Sequence, residues 1–125
     1  MDRTRLGAWT TLGLAVLHAL SALFSGVSVE LVGLALAVNA AAAASAVRLL
    51  RRPDRNRWPL TAWTAGFFGW HATGLVTLAG LVTTELDAVF TVASDARLSV
   101  LHQAVLTTAA AFAVHFLLPR PAGRP

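Results

Sequence analysis

The chain has no cysteine, no tyrosine and no lysine, and only 13% of its 125 residues are charged. Without cysteine there can be no disulfide, no thiolate metal site and no thiol nucleophile, and without lysine no Schiff base to retinal or pyridoxal phosphate. The scarce charge is one-sided, since all ten basic residues are Arg against six acidic ones. What fills the rest is apolar: 56% of the residues are AVILMFWYC, and the mean hydropathy is +0.64. That balance is too apolar for an ordinary soluble domain and reads as a membrane protein. The basic pI, near 11.6, then speaks of membrane orientation rather than nucleic acid.

A helix rises about 1.5 Å per residue and a bilayer's hydrocarbon core is about 30 Å thick, so each crossing needs roughly 20 mostly apolar residues. Stretches 6–25, 29–50, 60–82 and 98–118 meet that length. Their limits carry helix punctuation. Ser28 with Glu30 can cap the second stretch, Pro59 suits a first helical turn, and Ser94 with Asp95 are N-cap candidates for the fourth. Pro53 and Pro119 follow the ends of the second and fourth. The fold class expected is all-α, an integral-membrane four-helix bundle of up-down-up-down topology forming a single domain over 1–125. The apolar run of the first helix continues to Phe24, which favours an uncleaved first span over a signal peptide.

With both termini cytoplasmic, that side holds nine Arg residues and the far side only Arg97. This is a strong positive-inside pattern, and Trp9, Trp58 and Trp63 fall at the same interface. The expected location is the cell membrane. The cationic turn bearing Arg51, Arg52, Arg55 and Arg57 serves as a topology signal and can also attract anionic lipid headgroups. Loop 83–97 is the longest connection, and Leu86, Val89 and Phe90 at helical spacing suggest a short helix on the outer surface.

In lipid the hydrophobic effect does not press one apolar helix onto another, so packing must come from small residues and a few hydrogen bonds. Three small-residue stripes are expected to serve: Gly33, Ala37, Ala40, Ala41 and Ala44; Gly66, Thr73, Thr77 and Gly80; and Ala104, Thr108 and Ala111 beside His115. Such stripes would also suit a homo-oligomer or a place in a larger membrane complex.

Polar groups inside a membrane face the bundle interior, which singles out the histidines and Asn39. His18 lies 12 residues into the first stretch and His71 11 into the third, or about 18 and 16 Å along their helices. Asn39, counted from the inner end of the second, falls at the same depth. His18 shares a stripe with Thr11, Ser21 and Ser25, and His71 with Thr64, Phe67 and Gly74. His18, Asn39, His71, Thr107 and Thr108 therefore form an expected polar midplane, open to three readings: a hydrogen-bonded core that fixes packing, a b-type haem with His18 and His71 as axial ligands, or a proton or substrate path. His115 is expected to be more buried than His102. No G-x-S-x-G, H-E-x-x-H, phosphate loop or paired carboxylates are present. The function expected is an accessory or structural membrane component without catalysis of its own.

Overall fold

Asp2 opens the first helix by accepting a hydrogen bond from the Thr4 N–H at 3.3 Å, and Ser28 opens the second by accepting from the Leu31 N–H at 3.4 Å, with Glu30 in the first turn. Both place an acceptor where the first turn leaves backbone donors unpaired. In the computed structural model the elements are α1 (Arg3–Leu23), α2 (Val29–Arg51), α3 (Trp58–Thr84) and α4 (Leu86–Leu117). The structure describes residues 2–24, 26, 28–84, 86–120 and 123, with the side chains of 78–100 excepted. Among the described residues there are four helices and no strand. Two of them, α1 and α2, are long and apolar enough to cross a bilayer, and a shorter apolar stretch covers Leu101–Leu117.

The expectation for the last third needs correcting. The described residues of segment 83–97 form neither a loop nor a separate surface helix, because α3 runs to Thr84 and α4 starts at Leu86 rather than near 98. Ser94 and Asp95 thus lie inside α4 instead of capping it. The physical reason α4 starts so early is an absence: from Leu86 to Leu118 the sequence holds no Gly or Pro, so neither strong helix breaker interrupts the stretch leading up to 98. At the other connection Gly26 takes φ 72°, a left-handed conformation open to glycine at little cost. At the Arg-rich turn Asn56 accepts from the Trp58 N–H at 3.0 Å and so starts α3.

Two clusters hold the bundle. Ala8, Ala46, Leu49, Leu60 and Leu117 join the start of α1 to the end of α2, the start of α3 and the end of α4. Neighbours in sequence therefore run in opposite directions, and the start of α1 and the end of α4 gather with the Arg-rich turn at one end. Leu14, Phe67, Leu106, Ala110 and Ala113 form the second cluster. Close approach of α1 to α4 depends on Gly7, where a Cβ would stand 2.8 Å from Leu117 Cγ. Arg3 fastens the same junction by donating to the His115 carbonyl at 2.7 Å.

The contacts are unevenly distributed around the bundle. α1 packs broadly on α2 and α4, and α3 packs on α4, whereas α2 and α3 barely touch. The order around the bundle is α2, α1, α4, α3, with a seam left open between the last and the first. The small-residue stripes lie elsewhere than expected: Gly33, Ala37, Ala40, Ala41 and Ala44 are exposed, as are Thr73, Thr77, Thr108 and Ala111, while Gly66 is exposed along the gap between α2 and α3 and the surroundings of Gly80 lie outside the described residues. Buried small residues among the described ones are instead Gly7, Ala8, Ala15, Ala42, Ala46, Ala110 and Ala113.

Candidate functional site

The open seam is a cleft of about 580 Å³ whose walls include Leu34 and Val38 from α2 and Trp63, Gly66, Phe67 and Trp70 from α3. His18, Asn39 and His71 also line it. Its size is that of a small-molecule pocket, and its mostly apolar walls with a few polar groups match the usual composition of one. Helical spacing builds one wall: Trp63, Phe67 and His71 succeed each other by four residues and form a ladder, with ring centroids 5.0 Å and 4.2 Å apart. His18 reaches this ladder from α1, its ring lying edge-on to Phe67 at 5.1 Å and to His71 at 5.3 Å.

Hydrogen bonds fix how these polar groups are oriented. Asn39 Nδ2 donates to the Ala35 carbonyl at 2.7 Å, one turn back on α2, and lies 2.9 Å from His18 Nδ1. Since that amide nitrogen is a donor, His18 Nδ1 accepts, and the neutral ring carries its proton on Nε2. His71 Nδ1 faces Gln103 Oε1, a carbonyl oxygen, so Nδ1 donates and Nε2 is left as a bare acceptor. Asn39 and His71 are 3% and 4% exposed, yet Asn39 Oδ1 and His71 Nε2 have no hydrogen-bond partner. Buried polar atoms are nearly always paired, so two orphans beside one cleft mark it out.

The structure thus brings His18, Asn39 and His71 together and leaves Thr107 and Thr108 apart. These two line a separate hollow with Phe68, Phe112 and His115 on the outer side of α3 and α4, and the buried Thr107 hydroxyl is unpaired there. Of the expected polar stripe on α1, Thr11 is fully buried and meets Thr64 at 3.3 Å. Ser21 donates to the Leu17 carbonyl within its own helix, and Ser25 lies outside the described residues. His115 is exposed, as is His102, and on the face expected to bury His115 the neighbouring Thr108 and Ala111 are exposed as well.

Gln103 is the partner that the sequence reading passed over. Its signal was positional: it precedes Leu106, Ala110, Ala113 and Leu117 at spacings of three and four, and all four of those residues are fully buried. A polar residue on that stripe must find a partner inside.

An axial haem pair needs two bare imidazole nitrogens on opposite sides of a macrocycle, each about 2 Å from the metal. His18 and His71 instead touch edge to face. His18 Nδ1 is engaged by Asn39, and its Nε2 carries the proton. A porphyrin between them would have to part the rings and reverse the His18 tautomer. Among the described residues no group of three or more His, Cys, Asp or Glu is placed to hold a metal ion. Comparison with protein families, curated proteins and solved structures gave no match.

Proposed function

We propose that this chain is a multi-pass membrane protein with four spanning helices in up-down-up-down order. Its termini and Arg-rich turn lie in the cytoplasm, and it works as a non-catalytic accessory component that holds a lipid-soluble molecule in the α2–α3 cleft. Support for four spans comes from the large apolar side chains that are exposed on each helix among the described residues. Leu20 on α1, Leu34 on α2, Trp70 and Val76 on α3, and Leu101 and Phe112 on α4 are all exposed, and such contiguous apolar surface suits hydrocarbon rather than water. Sidedness is supported by the gathering of Arg3, Arg51, Arg52, Arg55, Arg57 and Arg120 at one end. Arg51, Arg52 and Arg55 are exposed there and suit anionic headgroups, whereas Arg57 is half-buried and reaches Thr4 Oγ1 at 3.5 Å.

The single observation that carries the ligand reading is the cleft itself: two helices of a small bundle stand apart, and buried polar groups border the gap between them. Gly66 offers the test, because it lines the cleft and a Cβ there meets nothing within 4 Å, so a side chain can be started at this wall without a clash at its first atom. Protein extracted in mild detergent is expected to retain a lipid-soluble molecule, detectable by mass spectrometry of its organic extract, and Gly66→Leu is expected to lose it. Wild type that retains nothing, or a chain recovered only with a partner protein covering the seam, would contradict the reading. A Soret band in the same sample would restore the haem alternative, and His71-dependent proton flux in liposomes would favour a conducting path.

A further inference from the structure

The cleft's hydrogen-bonding sense is as informative as its shape. Asn39 presents only its carbonyl oxygen, because its amide nitrogen is engaged with Ala35 and His18. His71 presents only a lone pair, because Gln103 holds the proton on the other ring nitrogen. Both unpaired atoms are therefore acceptors, and both residues line the same apolar, aromatic-walled space. Side-chain donors on the cleft's walls are the remaining His18 N–H and the indole N–H groups of Trp63 and Trp70, whereas its two unpaired buried atoms are both acceptors.

From this we infer that the cleft selects an aromatic headgroup bearing hydroxyls, a hydroquinone in preference to the corresponding quinone. This inference rests on the cleft being a ligand seat and specifies what the seat takes. A hydroquinone brings two O–H donors to a cleft whose unpaired atoms are acceptors, and its flat ring can lie against the aromatic wall that Trp63, Phe67 and Trp70 build along α3. A quinone is an acceptor only; it can accept from His18 or a tryptophan indole but leaves Asn39 Oδ1 and His71 Nε2 unpaired. A partner transmembrane helix is disfavoured on the same ground, since its backbone donors are already engaged within the helix. Water is scarce at this depth, so a ligand's hydroxyls face little competition.

The test compares three probes on the full chain in mild detergent without oxygen: a short-tailed p-benzoquinol, its quinone and its dimethyl ether, each followed by titration calorimetry. The quinol is expected to bind at least about tenfold more tightly than either of the others, as befits two buried hydrogen bonds. Asn39→Leu and His71→Phe are each expected to weaken quinol binding, and His71→Phe, which leaves the Asn39–His18 contact in place, is expected to leave quinone binding unchanged. The wild-type comparison stands even if a variant fails to fold. Quinone binding as tight as quinol, or a dimethyl ether that binds equally well, overturns the selection. If the probes bind alike and Gly66→Leu abolishes them all, the seat stands and only the ligand class fails. If none binds and Gly66→Leu changes nothing, the seat itself is refuted.

Discussion

Gly7→Ala is the sharpest test of how α1 and α4 meet. An added Cβ would lie 2.8 Å from Leu117 Cγ, 3.0 Å from its Cδ2 and 3.3 Å from its backbone nitrogen. Carbon atoms settle at about 3.5–4.0 Å, so Leu117 would have to retreat by most of an ångström. It has little room, being fully buried against Ala8, Ala46, Leu49 and Leu60. The backbone contact persists even if the side chain turns away. Overpacking of this kind costs about 1–3 kcal/mol, more than the gain of up to about 1 kcal/mol that alanine brings over glycine in a helix.

Gly66→Ala is the control, with no atom near the added methyl, and is expected to be neutral or slightly stabilising. Leu117→Ala alone should cost about 2–5 kcal/mol. Combined with Gly7→Ala, the loss should fall short of the sum by about 1 kcal/mol, because the clash has lost its main partner. Unfolding by dodecyl sulfate titrated into mild-detergent micelles, followed by tryptophan fluorescence, reads all four variants. If Gly7→Ala and Gly66→Ala unfold together, the helices do not meet as described.

Leu106→Ala, at a fully buried position in the second cluster, is expected to lower stability in the same unfolding assay by about 2–5 kcal/mol. Gln103→Leu removes the acceptor from His71 Nδ1 and should cost about 1–3 kcal/mol by leaving a buried donor unpaired; Gln103→Glu, which keeps an acceptor there, should lose less. Replacing Arg51, Arg52 and Arg55 together by Gln is expected to reduce the anionic lipid retained by the purified protein, seen by native mass spectrometry, whereas replacing Arg57 alone should change retention less. Equal retention in all of these variants would remove the headgroup reading.

Four helices were legible because long apolar runs broken by Pro53, Pro59 and Pro119 leave little choice of boundary. The start of α4 was not, since Ser94 and Asp95 look like caps while the stronger fact, the lack of any Gly or Pro from 81 to 118, is a silence. The direction of the small-residue stripes was illegible for a different reason. Where lipid and protein interior are both apolar, hydrophobic periodicity does not separate the outward face from the packed one, and Ala37 and Ala42 look alike in sequence though one is exposed and the other buried. At the candidate site the depth argument placed His18, Asn39 and His71 at one level, and the structure joins them. It could not pair Asn39 with His18 and His71 with Gln103, because those pairings depend on which helices are neighbours. Nor could it foresee that α2 and α3 would stand apart.

All of this depends on a chain that threads the bilayer four times and returns its arginine-bearing end to the cytoplasm. The sequence contains no cysteine, so single substitutions Asp2→Cys, Ser28→Cys and Asn56→Cys each give one unambiguous labelling site. With a membrane-impermeant maleimide applied to intact cells, Ser28→Cys should react, and Asp2→Cys and Asn56→Cys should react only after permeabilisation. Labelling of Asp2→Cys or Asn56→Cys from outside, or protection of Ser28→Cys, would contradict the account.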